Sequence, residues 1–464
     1  MKPVYKYILF AALTTGLGTA CNKRLDLEPK QSIDATTAIQ TPADVEAAVV
    51  GAYSVMGGGA LYGTNLLMNP EISASYFPNT EQYASWRGTF TGQQQIGRKT
   101  MNRDNGEAAR IWTAGYLAIN TANIVLDNLS VVTDVDQKAQ FEGEALFVRG
   151  IMHFELVRMF GLPWGATANN SQPGIVIKTT SSKTEADAAQ KLPRNTVAEV
   201  YAQAIADLTA AASKLPEDNG TRADKYTSLA FLAKIYLQQG DFVKARDAAN
   251  AVIESGKYSM NASVRAVFDN KNTNESVWEI QQNDQNNAGT SNDGMATFFA
   301  SLPGIGRGDV RIASAFINTY PAGDLRADEW YYVGTGARPG NLYCGKWRSF
   351  SQNLPVIRIA EMYLIRAETN LRLGTTLGDT PENDLAEVRN PVRTNLSVIA
   401  APTLADVLAE RRLELAFEGF RIHEIKRLQQ SFSVYNWNDA KLVYPIPQRE
   451  VQATEGILVQ NPGY

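Results

Sequence analysis

Acidic and basic side chains crowd two predicted helices near the carboxy terminus. The members of these two groups are Glu361, Arg366 and Glu368 on the first helix, and Glu410, Arg411, Arg412, Glu414, Glu418 and Arg421 on the second. Two carboxylates placed close together could serve as a general acid and a general base. The spacing of three and four residues is, however, typical of ion pairs on and between helices. We therefore predict that these charges stabilise the fold, and we assign no catalytic residue.

Groups that bind metals, cofactors or nucleic acids are scarce in the chain. Its two histidines, His153 and His423, lie far apart and lack the His-Glu-x-x-His spacing of a zinc site, which predicts packed or solvated imidazoles. The glycine-rich stretch 303–308 lacks the Lys-Ser/Thr pair of a phosphate-binding loop. The 464 residues include 44 Lys and Arg against 48 Asp and Glu, so no excess of positive charge favours nucleic acid. We predict no metal, no cofactor and no nucleic-acid partner.

Aromatic and amide side chains concentrate in two stretches, 57–106 and 281–345. In the first stretch they alternate without helical periodicity, which predicts loops. A sugar presents apolar C–H faces and a rim of hydroxyl groups, so its site needs flat rings beside amide or guanidinium groups. The predicted platform rings and polar partners are Tyr83, Trp86 and Trp330, with Asn79, Gln82 and Arg87. Most loop aromatics only hold loops to a scaffold, so this selection is a hypothesis.

The amino terminus has the features of an export signal. Lysines at positions 2 and 6 precede a short apolar run, and small residues then lead to Cys21. The apolar run is too short for a bilayer, which needs about 20 apolar residues. Residues 1–20 resemble a bacterial lipoprotein signal peptide, in which Cys21 would become the lipid-bearing first residue of the mature chain. The alternative is an ordinary secretory signal with an incidental cysteine. If Cys21 carries lipid, Cys344 has no partner, and we expect it to be buried.

The remaining chain is predicted to be mainly α-helical. Thr41, Pro42 and Asp44 mark the start of a first helix, and glycines from position 57 mark its end. Residues 224–255 are typical of a tetratricopeptide-like helix pair, with a tight turn at Gly240. Three similar pairs join helices starting near positions 41 and 107, 136 and 196, and 355 and 403. We predict a tether over 21–40 and a single domain over 41–464. Its scaffold would comprise 41–56, 107–255 and 355–428, and its binding insertions 57–106 and 281–345.

Several short sequence motifs occur in a fixed order along the chain. They are Leu25-Asp26-Leu27-Glu28-Pro29, the helix with Trp112, Tyr116, Asn120 and Asn123, Arg149 with Gly161-x-Pro163, Leu192-Pro193-Arg194-x-Thr196, Arg358-x-Ala360-Glu361-x-Tyr363-Leu364-x-Arg366-Ala367-Glu368, Glu410-Arg411-Arg412-x-Glu414-Leu415-Ala416-Phe417-Glu418-Gly419-x-Arg421, Tyr444-Pro445-Ile446-Pro447 and Asn461-Pro462-Gly463-Tyr464. This set resembles the SusD/RagB family of outer-membrane glycan-binding lipoproteins. The sequence departs from the family pattern at Gly150, usually Ala, and at Glu424, more often Asp.

The resemblance implies a non-catalytic nutrient-binding lipoprotein at the outer membrane, facing the cell exterior. Such a protein captures an oligosaccharide on loops in the two insertions and delivers it to a SusC-like TonB-dependent transporter. Arg326 resembles part of a family Asp-x-Arg motif and is expected to be structural. Three alternatives remain: the same fold and anchor with a peptide or other polar ligand, a scaffold that binds only proteins, and a glycoside hydrolase using two carboxylates.

Overall fold

The computed structural model describes residues 39–75 and 82–464, and α-helices account for most of its regular structure. The longer helices are α1 (Pro42–Gly57), α2 (Asn65–Ser73), α3 (Thr91–Arg98), α4 (Gly106–Asp127), α5 (Val135–Phe160), α6 (Val197–Lys214), α7 (Lys225–Gln239), α8 (Phe242–Glu254), α9 (Ile359–Leu373), α10 (Pro381–Val388), α11 (Leu404–Glu414) and α12 (Arg421–Arg427). Short helices span Glu185–Ala188, Ala266–Asp269, Met295–Phe299, Ser314–Ile317, Leu325–Glu329, Pro391–Thr394 and Gln448–Ala453.

Six short strands form three antiparallel pairs in the described residues. The strands are β1 (Ala84–Trp86), β2 (Ser276–Ile280), β3 (Val310–Ile312), β4 (Tyr331–Val333), β5 (Leu342–Cys344) and β6 (Leu354–Arg358). Strand β1 pairs with β3, β2 with β6, and β4 with β5. Each pair therefore joins segments that are held in place by the surrounding helices rather than by a larger sheet.

Local sequence signals define where the scaffold helices begin and end. Helix α1 starts at a capping box, in which the Thr41 side chain accepts from the Asp44 amide and the Asp44 carboxylate accepts from the Thr41 amide. The same reciprocal arrangement starts α6, α7 and α11. Gly240 ends α7 at a φ of 75°, a left-handed conformation that favours glycine, and α8 begins two residues later.

The long helices pack as the four predicted pairs. Helix α1 packs on α4, α5 on α6, α7 on α8, and α9 on α11. Neighbouring pairs also touch, because α4 contacts α5, α6 contacts α7, and α8 contacts α9. Small residues allow the close approach: a Cβ on Gly150 would lie 3.0 Å from the Leu208 side chain of the facing helix. The prediction of a mainly α fold with tetratricopeptide-like helix pairs is confirmed.

The expectation of loops throughout 57–106 was wrong in two places. Helices α2 and α3 lie inside this stretch. All nine residues of α2 are buried, including Asn65, Asn69 and Glu71, so the helix has no solvent face. A helix that is enclosed on every side shows no alternation of apolar and polar faces. A search for helical periodicity in the sequence therefore could not detect α2.

The charged motifs near the carboxy terminus form a buried ion-pair network, as predicted. Its members are Arg326, Lys346, Arg358, Arg389 and Arg393, with Glu275, Asp324, Glu410, Glu414 and Glu418. All ten side chains are buried. Arg326, which is fully buried, pairs with Asp324, Glu410 and Glu414, and this contact set confirms its structural role.

The two histidines and Cys344 are interior residues. Burial lowers the pKa of His153 to about 3 and that of His423 well below its usual value, so both imidazoles are neutral at pH 7. Burial also raises the pKa of the Cys344 thiol to about 12. The expectations of packed imidazoles and a buried thiol are thus confirmed. Within residues 39–75 and 82–464, no helix is both long and apolar enough to cross a bilayer.

Candidate functional site

The pairing of β1 with β3 brings the two predicted binding insertions together. Strand β1 belongs to the first insertion and β3 to the second. Ala84 lies opposite Ile312, Ser85 opposite Arg311, and Trp86 opposite Val310. The pairing continues beyond the strands, since the Arg87 amide donates to the Asp309 carbonyl (2.6 Å) and the Ala313 amide donates to the Tyr83 carbonyl (2.9 Å). A segment from each insertion therefore contributes side chains to one surface.

One face of this strand pair opens into a polar cleft of about 560 Å³. Its lining includes Gln82, Ser85 and Arg87 from the first insertion, and Arg311, Ser314 and Asn341 from the second. Gln82, Arg87 and Arg311 are exposed to solvent. Such side chains supply hydrogen-bond donors and acceptors, which a hydroxyl-rich ligand requires. The volume lies inside the range of about 300–1,000 Å³ that is usual for small-molecule sites. We call this space the β1–β3 cleft.

The predicted residue Trp86 points away from the β1–β3 cleft, because side chains alternate across a strand. It packs on Phe298, with 5.4 Å between ring centroids, and Phe298 in turn contacts Phe90 at 5.9 Å. The Arg307 guanidinium covers the Phe90 ring at 4.6 Å. Trp86 is partly buried and Phe90 is 37% exposed, so both rings retain some solvent-accessible surface. These residues form an aromatic patch next to β1.

Tyr83 does not provide a platform, which corrects the prediction for this residue. The side chain is 1% exposed and stacks on Phe417 with 4.7 Å between centroids. Its hydroxyl donates to the Glu71 carboxylate, which also accepts from the Phe417 amide (3.1 Å) and the Phe420 amide (2.6 Å). Burial raises the pKa of Glu71 despite these donors. Tyr83 thus anchors β1 to the core beside α12.

Trp330 is likewise an interior residue, and its predicted platform role is corrected. It has no exposed surface, and its indole N–H donates to the Val264 carbonyl at 2.8 Å. The Lys346 ammonium lies 3.8 Å from its ring centroid, in the geometry of a cation–π contact. The ring was a plausible candidate by type alone, since sequence does not reveal which loop aromatics are enclosed. Asn79 and the lipidation candidate Cys21 lie outside the described residues.

The sequence reasoning missed the partners that β3 contributes. Arg311 stands between two buried apolar residues, Val310 and Ile312, and this alternation is the signal of a strand with one exposed position. With three residues the strand is too short for the pattern to be decisive. Its position opposite Ser85, more than two hundred residues earlier, is set by tertiary packing.

A second polar cleft lies between the end of α1 and the start of the second insertion. Its volume is about 520 Å³, and it is lined in part by Gly57, Gly59, Gln281, Asn287 and Asp293. Within the described residues, the first insertion contributes only glycines to this cleft, which offer no side-chain groups. None of the five predicted site residues that the structure describes lines it. The β1–β3 cleft is therefore the candidate that agrees better with the sequence.

An open polar cleft carried by a helical-repeat scaffold is typical of a ligand-binding protein. Residues 23–237 match a family model described as starch-binding and associating with the outer membrane, and residues 346–443 match the SusD family model. The chain belongs to the SusD/RagB family, a family of carbohydrate-binding proteins associated with the outer membrane.

Individual relatives agree with this membership. The chain is 26% identical to SusD-like protein P2 of Formosa agariphila, over 99% of both chains. Its fold is similar to a SusD superfamily protein of Bacteroides vulgatus, with a TM-score of 0.79, 24% identity, and coverage of 92% of this chain and 100% of the other. A laminarin-binding SusD-like protein gives a TM-score of 0.73 at 21% identity, with coverage of 92% and 100%.

Proposed function

We propose that the protein captures an oligosaccharide in the β1–β3 cleft and delivers it to a SusC-like TonB-dependent transporter. The observation that carries this proposal is the convergence of Gln82 and Arg87 with Arg311 and Asn341, from the two insertions, on one open cleft. A laminarin-binding relative of the same fold supports the choice of ligand class.

The chemistry of the cleft suits a hydrated, hydroxyl-rich ligand. Gln82 and Asn341 carry amides that can both donate and accept, and Ser85 and Ser314 carry hydroxyls. Leu342, which is only partly buried, adds apolar surface for the C–H faces of a sugar ring. Trp86 is the one predicted platform ring with accessible surface, and we retain it as a proposed stacking contact on the neighbouring aromatic patch.

Binding is tested by calorimetric titration of the purified protein with a panel of neutral and charged oligosaccharides. Ala315 lines the cleft and is exposed, so Ala315→Trp fills the space without removing a hydrogen bond. Ala206, exposed on α6, gives the matched control Ala206→Trp. We expect the first variant to lose binding and the second to retain it. Equal affinity in both variants would reject the cleft, and binding of a peptide mixture alone would favour the peptide alternative.

The aromatic contact has its own test. Trp86→Ala is expected to weaken oligosaccharide binding by several-fold, since one stacked ring contributes about 0.5–1.5 kcal/mol. Affinity equal to that of the unaltered protein would remove Trp86 from the site. Turnover of a labelled oligosaccharide would contradict the proposal of a non-catalytic carrier and favour the hydrolase alternative.

The anchor and the transporter complete the proposal. Lipid on Cys21 would hold the protein on the outer membrane, facing the exterior, and the transporter would lie beneath it. Cys21→Ala is expected to release the protein from membrane fractions, and retention there would contradict the anchor. Co-purification of the native protein with a TonB-dependent transporter from detergent-solubilised membranes is the corresponding test of the partner.

A further inference from the structure

The β1–β3 cleft has an uneven distribution of charge. Two of its lining residues, Arg87 and Arg311, are cationic, and no Asp or Glu among the described residues lines it. This local excess occurs in a chain whose acids outnumber its bases, 48 to 44. An electropositive cleft on an acidic protein is therefore a local feature and does not follow from overall composition.

The two arginines lie on the same face of the strand pair. Arg87 folds back along its strand, because its Nε donates to the Ser85 hydroxyl at 3.1 Å. Ser85 stands directly opposite Arg311 in the β1–β3 pairing. Opposite residues of an antiparallel pair point to the same side, so both guanidinium groups border the same space. Both side chains are exposed, and neighbouring like charges of this kind repel each other.

The carboxylate of Asp309, whose backbone carbonyl accepts from the Arg87 amide, is already paired. Asp309 is fully buried, and its carboxylate forms ion pairs with Arg307, whose Nε lies at 3.0 Å, and with an Arg338 nitrogen at 3.2 Å. Arg338 also donates to the Arg87 carbonyl at 2.6 Å, which fixes the backbone beside the cleft. Across the described chain, neither Arg87 nor Arg311 has a carboxylate within ion-pair distance. Within residues 39–75 and 82–464, the positive charge of the cleft thus has no paired carboxylate.

We propose that the β1–β3 cleft selects glycans that carry an anionic group, a carboxylate or a sulfate ester. This inference rests on the proposed function and specifies its ligand class. The anionic group would bind between Arg87 and Arg311, whose forked N–H donors match the oxygens of either group. The neighbouring amides of Gln82 and Asn341 then remain available for the hydroxyls of the same chain.

The test compares charged oligosaccharides with their uncharged counterparts by calorimetric titration. An oligogalacturonide and its methyl-esterified form probe the carboxylate, and a sulfated galactan oligosaccharide and its desulfated form probe the sulfate. We expect one charged member to bind at least about tenfold more tightly than its neutral counterpart, as for charge-assisted hydrogen bonds. Its affinity should fall as NaCl rises from about 50 to 500 mM, because exposed charges are screened.

Variants connect this preference to the two arginines. Arg311→Gln and Arg87→Gln are each expected to weaken binding of the charged member much more than binding of its neutral counterpart, which removes most of the preference. Arg449→Gln, at an exposed arginine outside the cleft, is the matched control and should have no effect. If neutral glycans bind in the cleft as tightly as charged ones, the inference is overturned and the proposed function stands. If no glycan of either kind binds, the proposed function fails, and the inference fails with it.

Discussion

Replacement of Glu414 by glutamine removes one charge from the centre of the buried ion-pair network. The Glu414 carboxylate has no exposed surface and accepts from Arg326 (2.9 Å), Arg358 (2.8 Å) and Arg393 (2.6 Å). The network as a whole contains five cations and five anions. Glutamine has nearly the same shape but no charge, so the variant leaves one uncompensated positive charge in the interior.

The expected loss of stability depends on which arginine loses the most ion-pair partners. Arg326 keeps Asp324 and Glu410, and Arg358 keeps Glu275 and Glu418. Among the described residues, Arg393 keeps one carboxylate, that of Glu275 at 3.5 Å, together with the Val388 carbonyl and the Trp330 ring. Breaking a buried ion pair by removal of one partner costs about 3–5 kcal/mol. We therefore expect Glu414→Gln to lower the free energy of unfolding by about that amount.

Urea unfolding followed by circular dichroism measures this change at pH 7. The matched control is Glu217→Gln, which breaks an exposed, solvent-screened pair with Lys225 and should leave the free energy of unfolding nearly unchanged. Equal losses in the two variants would refute the reasoning that burial sets the cost.

The pH dependence of unfolding provides a second test of the Glu414→Gln variant. Burial alone would raise the pKa of Glu414, but Arg393, Arg358 and Arg326 together hold it well below its usual value of 4.5. A carboxyl whose pKa is lower in the folded state stabilises the fold above the unfolded pKa and loses this effect as pH falls. The difference between native protein and variant should therefore be constant above pH 4.5 and shrink below it.

Two further predictions concern stability. Burial lowers the pKa of Lys426 to about 7, so the folded state binds fewer protons at this group than the unfolded chain between about pH 7 and pH 10.5. Lys426→Met should stabilise the protein most at pH 7 or below, with the gain falling by up to about 1.4 kcal/mol per pH unit above it. A gain that does not change with pH would contradict the assignment. Gly419 has a φ of 87°, and a Cβ added there would lie 2.8 Å from the Leu66 carbonyl oxygen. Gly374 also has a positive φ, 64°, but a Cβ added there would meet no atom within 4 Å. Gly374→Ala should cost about 1–2 kcal/mol of backbone strain, and Gly419→Ala about 1–3 kcal/mol more from overpacking. Equal losses in urea unfolding would contradict the packing argument.

The scaffold could be predicted from sequence because its signals are local. The Thr41 capping box and the Gly240 turn each act within a few residues, and both appear in the structure as predicted. The charged helices also followed the expected pattern, since charges three and four residues apart face the same side. The pattern could not show that Arg326, which lies in a distant segment, pairs with Glu410 and Glu414.

The candidate site could be predicted only in part, because burial of a loop residue depends on distant contacts. Tyr83 and Trp86 are three positions apart and both aromatic. Tyr83 is enclosed and stacks on Phe417, whereas Trp86 is only partly buried. Gln82 and Arg87 line the cleft as predicted polar residues. Arg311 joins them only through strand pairing across the chain, which no local pattern indicates.

The place where an oligosaccharide binds is tested most directly by a crystal structure of the protein with the tightest-binding oligosaccharide of the titration panel. We predict density for the sugar over β1 and β3, in contact with Arg87 and Arg311. Density confined to the second cleft, near Gly57 and Gln281, with none over β1 and β3, would contradict the assignment of the site.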